Sequence, residues 1–287
     1  MIIGPGHNPM SVCGYAEQLS PRLRARGDTS PNDIYVGTVV LPGGRERTRA
    51  YVKVFPPADR LSLVFNEVIG HHLAVQCELP SPSTFPCACP ISLLRKATLA
   101  NMVPSTADKY VLGVASFDGA VRELTQSLAT SDAVKADLMN WQQVARAAVF
   151  DELMGNDDRH LGNLIRRGPH DYLVIDHERI LFGEPWFGRD LDGLHSRPCD
   201  ANVLADTIAE GTDEIMRQRM LAIARHYVMA TLLEVPEVAV ALETVCKAPV
   251  GTTDRLVAML NRRRSVLPTL MNYHLRKGDL FRASSYR

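Results

Sequence analysis

The stretch from Asp137 to Asp176 constrains this chain most. Trp141, Val144, Ala145, Ala148, Val149 and Leu153 recur on one face at helical spacing, and Gly155 follows them. A glycine just past such a stripe is a stop signal, because it enters the left-handed backbone of a helix end without a Cβ penalty. The spacing predicts a helix over 137–154. The next residues, Asn156-Asp157-Asp158-Arg159-His160-Leu161-Gly162-Asn163, are polar and turn-prone. Short strands around Leu164-Ile165 and from Tyr172 to Ile175 then flank a Gly168-Pro169 turn. A hairpin brings its ends together, so Asn163 before it and Asp176 after it are expected to face one space.

Amide and carboxylate oxygens are the ligands magnesium prefers. Asp158 lies five residues before Asn163, where it can stand beside such a metal and orient a hydroxyl for attack, with Asp157 as its rival. Glu178 is a further candidate oxygen. Alone, an Asn/Asp-rich turn is more often a solvated turn. Two upstream residues alter that balance. Lys53 sits in Tyr51-Val52-Lys53-Val54-Phe55, where strand alternation sets it with Tyr51 and Phe55. Glu67 lies fourteen residues later, on a helix marked by apolar residues at 61, 64, 65, 68, 69 and 73 with Asp59 as its cap. A strand lysine and a glutamate on the next helix can form an ion pair that aims the lysine at nucleotide phosphates. The alternative for Lys53 is a packed stem with its head in water.

Ile34 to Leu41 is rich in β-branched and aromatic residues, and Arg49 to Phe55 returns after Pro42-Gly43-Gly44-Arg45-Glu46, which predicts a hairpin. Pro80, Pro82, Pro86 and Pro90 make 79–90 an extended crossing, and Tyr110 to Ala115 reads as a strand. Helices are expected over Met216–Leu233, Pro236–Val245 and Thr253–His274, and residues 1–18 read as a loose arm. The order is strands with one helix, then a mainly helical half, with a boundary near 105–120. His71 is placed to pair with Glu67 one turn earlier, and His177 is expected to pack beside Asp176. Asn261-Arg262-Arg263-Arg264 reads as a solvated helix face.

With 287 residues the chain can bury a large core. Its 32 basic and 32 acidic residues cancel, so no global field attracts nucleic acid or an anionic membrane, and neither partner is expected. No apolar run approaches the ~20 residues that span a bilayer. Met1 to Met10 lacks the basic flank and apolar core of a secretory signal, so a cytoplasmic location is expected. The six cysteines are scattered. Cys77 and Cys246 fall in apolar helical patterns that favour burial. Cys87-Ala-Cys89 has no second ligand pair, so structural zinc is not expected.

Taken together, Tyr51-Val52-Lys53-Val54, Asn66-Glu67-Val68-Ile69-Gly70, Gly155 to Asn163 and Val174-Ile175-Asp176-His177 resemble the HipA-like kinase family. The Asp-Arg-His-x-x-Asn run is also similar to that of phosphatidylinositol 3/4-kinases, which share the distant protein-kinase-like fold. The resemblance spans roughly residues 27–180. It implies an α+β, two-lobed protein-kinase-like fold: a flexible arm over 1–18, a small β-rich N-terminal lobe over 19–113 and a larger, mainly helical C-terminal lobe over 114–287. It further implies an ATP- and Mg2+-dependent kinase acting on a hydroxyl acceptor, a protein serine or threonine being favoured, with a regulatory partner protein as a family association. Lipid or small-molecule phosphorylation and a nucleotide-binding pseudokinase are the alternatives. By position, Asp158 would be the catalytic aspartate, Asn163 and Asp176 the metal ligands, and Lys53 the phosphate contact held by Glu67. His160 would stabilise phosphate charge or the aspartate, and Tyr110 to Gly113 would meet the adenine. The family's Gly-x-Gly-x-x-Gly phosphate loop has no counterpart. Gly27-Asp28-Thr29-Ser30-Pro31-Asn32 stands in its place, where Gly27, Ser30 and backbone amides would cradle phosphate.

Overall fold

The computed structural model describes residues 12–21, 33–55, 61–95, 109–117, 132–183, 186–211, 213–229 and 233–285. The fold is α+β, with a β-rich N-terminal region. By backbone contacts the chain divides into two units. One takes the described residues within Met1–Ile69, Pro82–Ala120 and Pro236–Thr253, and the other those within Gly70–Ser81, Val121–Val235 and Asp254–Arg287. These units are discontinuous in sequence, unlike the single boundary expected after 113.

The first unit is a closed five-stranded barrel, built from β1 (Gly14–Pro21), β2 (Asp33–Val40), β3 (Arg47–Val54), β4 (Ser83–Pro90) and β5 (Tyr110–Phe117) in the order β1-β2-β3-β5-β4. The β2–β3 hairpin matches the expected one, with Leu41 N donating to Glu46 O at 2.8 Å across its turn. β1 occupies part of the expected loose arm. Its Ala16 is fully buried in the barrel core, and its register against β2 shifts between Ala16 and Gln18. That irregularity and its many polar residues hide the strand period. β4 lies in the predicted extended crossing. It pairs with β5 along its whole length but with β1 at two positions only, which leaves room for prolines that cannot donate a ladder hydrogen bond. Alternation then fills the barrel: Ala50, Val52 and Val54 of β3 point inward with Tyr35, Val39, Phe85, Cys87, Cys89 and Ala115. Lys53 falls on the opposite face, as its alternation predicts. Tyr110 to Gly113, expected to meet the adenine, begins β5. Within 236–253, helix α6 (Ala239–Val245) carries Glu243, whose carboxylate accepts from Gly251 N at 3.0 Å and Thr253 N at 2.6 Å.

Helix α1 (Leu61–Gln76) begins in the first unit and ends in the second. Its proposed cap Asp59 lies outside the described residues. In the second unit the helix predicted over 137–154 is two, α2 (Asp132–Met139) and α3 (Val144–Met154). Asn140 Nδ2 donates to Ala136 O at 3.0 Å, and buried Trp141 packs on Tyr172 with ring centroids 5.7 Å apart. The asparagine competes for a helical carbonyl while the tryptophan satisfies its packing across the break. α3 is buried nearly all round, including Asp151 and Glu152 near its C-terminus. After it come the hairpin β6 (Leu164–Gly168) and β7 (Asp171–Val174), then α4 (Val203–Glu210), α5 (Glu214–Met229) and α7 (Thr252–Ser285). Among the described residues no helix is long and apolar enough to cross a membrane.

Candidate active site

Helix α3 ends as its sequence predicts. Gly155 is left-handed, with φ 62°, and its N–H returns to the Asp151 and Glu152 carbonyls. Asn156 N donates to Asp151 O at 2.9 Å, and Asn156 Oδ1 accepts from Asp158 N at 3.2 Å. The polar loop is therefore folded back on the helix end, with buried Asn156 as its pivot.

The two candidate aspartates then part company. Asp157 Oδ1 accepts from Asp200 N at 3.0 Å, and burial pushes its carboxyl up, opposed by that N–H. Asp158 stays at the surface, where Arg179 Nη1 stands 3.8 Å from Oδ1 and both side chains are partly exposed. An ion pair of that length between solvated groups is weak. His160 is exposed, and its Nδ1 accepts from Gly162 N at 3.0 Å, so it caps the helical turn Leu161–Asn163.

Asn163 is buried, and its Nδ2 donates to Asp158 O at 2.9 Å, leaving Oδ1 as the amide's acceptor. Ile175 N donates to Asn163 O at 3.1 Å, which closes the β6–β7 hairpin with Asn163 beside the residue that precedes Asp176. Asp158, Asn163 and the residue before Asp176 are thus linked in one hydrogen-bonded chain. Asp176 itself has φ 66°, a backbone region uncommon outside glycine. Carboxylate oxygens of Asp176 and Glu178 lie within 4.8 Å of each other. Between them His177 is fully buried, its ring meeting His71 at 4.7 Å and Phe150 at 5.7 Å. That is the packing role expected of it. A Cβ on Gly70 would sit 2.2 Å from His177 Cβ, so glycine is what lets this turn of α1 approach the loop. His71 Nδ1 hydrogen-bonds Ser81 Oγ, which donates to Val174 O at 3.3 Å.

Arg159 has the most contacts in the loop, and the sequence assigned it no separate task. Its buried guanidinium holds Asp151 through Nε at 2.9 and 3.1 Å and through Nη2 at 3.0 Å. Nη1 donates to Asn163 O at 2.8 Å and also to Ile175 O. Burial pushes the Asp151 carboxyl up, while Arg159 and the Asn156 amide bond the charged form. Next to it Glu152 forms a second buried centre. Its Oε1 accepts from Arg263 Nη2 at 2.8 Å and Cys199 N at 3.1 Å, and its Oε2 pairs with His274 Nε2 at 2.9 Å. His274 Nδ1 reaches Asp206 Oδ1 at 2.8 Å. Arg263 and Arg264 are therefore buried, against the solvated face expected for 261–264. Arg263 is drawn inward because it pairs with Glu152 and donates to the Glu152 carbonyl at 2.7 Å. It also lies over the Phe182 ring at 5.2 Å, with Arg197 over the same ring at 4.2 Å. Leu181 and Phe182 are left-handed at φ 55° and 65°, and Phe182 N is held by Gly155 O at 2.7 Å.

In the first unit Lys53 Nζ lies 5.2 Å from the Phe55 ring centroid, and Glu67 is buried on α1. Gly27 and Ser30, the proposed phosphate cradle, lie outside the described residues, within the segment joining β1 to β2. No family model matches the chain, and no curated protein matches it in sequence.

Proposed function

We propose that this protein is an ATP-dependent phosphotransferase of the HipA-like type, with a two-lobed protein-kinase-like arrangement, acting on a hydroxyl acceptor for which a protein serine or threonine is the favoured class. The observation that carries the reading is the hydrogen-bonded assembly of Asp158, Asn163 and the strand end before Asp176. Asp158 carries a partly exposed carboxylate, and its backbone carbonyl accepts from the Asn163 amide at the start of the hairpin. Lys53 on the third strand and Glu67 on the following helix add support, since protein kinases place a phosphate-binding lysine and its glutamate in this way.

In this reading Asp158 orients the acceptor hydroxyl and takes its proton, a role open to it because Asp157 is engaged by Asp200 N. Asn163, Asp176 and Glu178 would together supply the all-oxygen donors that Mg2+ takes, the carboxylates of Asp176 and Glu178 lying within 4.8 Å of each other. Bound there, the metal would neutralise charge on the nucleotide phosphates. Lys53 would bind those phosphates with Glu67 steadying it, and His160 at the loop surface would add a donor to them.

The test incubates purified protein with γ-labelled ATP and magnesium and follows self-labelling and labelling of a generic protein acceptor. The reading expects magnesium-dependent transfer, lost by at least about 100-fold in Asp176→Ala, together with thermal stabilisation by ATP that needs the metal. Transfer that survives Asp176→Ala would sink the site. Stabilisation without transfer to any hydroxyl acceptor would instead identify a nucleotide-binding pseudokinase.

A further inference from the structure

We infer that Asp151 and Arg159 are a positioning pair that sets the separation of Asn163 and Asp176, an inference that rests on the proposed role of those two residues as metal ligands. The geometry is specific. One nitrogen of Arg159, Nη1, donates both to Asn163 O at 2.8 Å and to Ile175 O, the carbonyls of one proposed ligand and of the residue preceding the other. Those carbonyls belong to two different strand ends, so the guanidinium joins the two sides of the hairpin where the ligands emerge. Its Nη2 also lies 3.4 Å from His177 Nδ1, on the far side of Asp176. Arg159 therefore contacts the backbone before Asp176 and the ring after it.

Asp151 makes this arrangement possible. A buried guanidinium is costly unless its charge is met, and Asp151 meets it with both oxygens from the last turns of α3. Asn156 Nδ2 steadies Asp151 Oδ1 at 3.2 Å. The loop is thus referenced to a helix buried nearly all round, not to the surface. Stability alone accounts poorly for such a pair, since apolar replacements of buried ion pairs are often as stable. Lysine could keep the charge against Asp151 but lacks the planar fork that reaches Asp151 and the two carbonyls together.

The experiment measures Mn2+ binding by electron paramagnetic resonance in the full chain: wild type, Arg159→Lys and Asp176→Ala, with folding checked by circular dichroism. Outer groups that orient metal ligands typically alter affinity 10–100-fold. Arg159→Lys is expected to keep its fold and to weaken Mn2+ binding by at least about 10-fold, with the metal concentration for half-maximal transfer rising in parallel. The rate at saturating metal should change much less. If Arg159→Lys does not fold, Asp151→Asn replaces it, keeping one acceptor oxygen in an isosteric side chain, with the same shift expected. A folded variant of either kind that binds Mn2+ like the wild type overturns the positioning role and leaves the functional reading intact. A wild type that binds no Mn2+, or binds it equally after Asp176→Ala, overturns the functional reading and the inference with it.

Discussion

His274 is fully enclosed between two acids, and its titration should be visible in the stability of the whole chain. Burial pulls the imidazole down, but hydrogen bonds to Asp206 and Glu152 override it and push its pKa up to about 9 from an ordinary 6.5. A carboxylate on each ring nitrogen requires both to carry a proton. The folded value lies above the unfolded one, so the contribution is complete below about pH 6.5 and is lost as pH rises through about 9. Urea unfolding at fixed pH across that interval should show a decline on the order of 3 kcal/mol in the wild type and a flatter profile in His274→Gln. A wild-type profile that is level or rises over this interval would contradict the assignment. At this scale the sequence could put Asp158 and Asn163 forward together, because they lie five residues apart in one loop. It was silent on Glu152, whose partners Arg263 and His274 lie 111 and 122 residues away. No local pattern separates a buried arginine from a solvated one, which is why Arg263 read as surface.

The junction of α3 with its loop depends on two close approaches. Gly155 is left-handed, and an added Cβ would meet the Phe182 ring at 3.1 Å. Gly155→Ala should therefore lower stability by about 1–3 kcal/mol, from backbone strain and from crowding of a ring on which Arg197 and Arg263 already pack. Thermal unfolding checks this, and an unchanged midpoint would mean that the helix end can relax. The Gly155 stop, the β2–β3 hairpin and the β6–β7 hairpin were all legible, each being a periodic run bounded by a glycine or proline signal. β1 was not, because a register shift and polar side chains erase its alternation. The break between α2 and α3 was hidden for the opposite reason: Trp141 continues the apolar stripe while the Asn140 side chain interrupts the backbone pattern.

On the scale of the molecule, the division into units cannot be read along the chain, since each unit gathers three separate segments. A sequence boundary near residue 113 falls inside β5 and does not carry the assignment of 70–81 or 236–253. The proposed chemistry rests on one loop and its supports. The whole account therefore turns on whether Asp158, and not its neighbour Asp157, does the proton transfer. The direct measurement is the initial rate of magnesium-dependent γ-phosphate transfer by wild type, Asp157→Asn and Asp158→Asn, all shown to be folded. The account predicts a loss of about 10²–10⁴-fold for Asp158→Asn and a change within about fivefold for Asp157→Asn, whose carboxylate is engaged by Asp200 N. An Asp158→Asn enzyme that transfers phosphate at the wild-type rate, or a greater loss in Asp157→Asn, would contradict it.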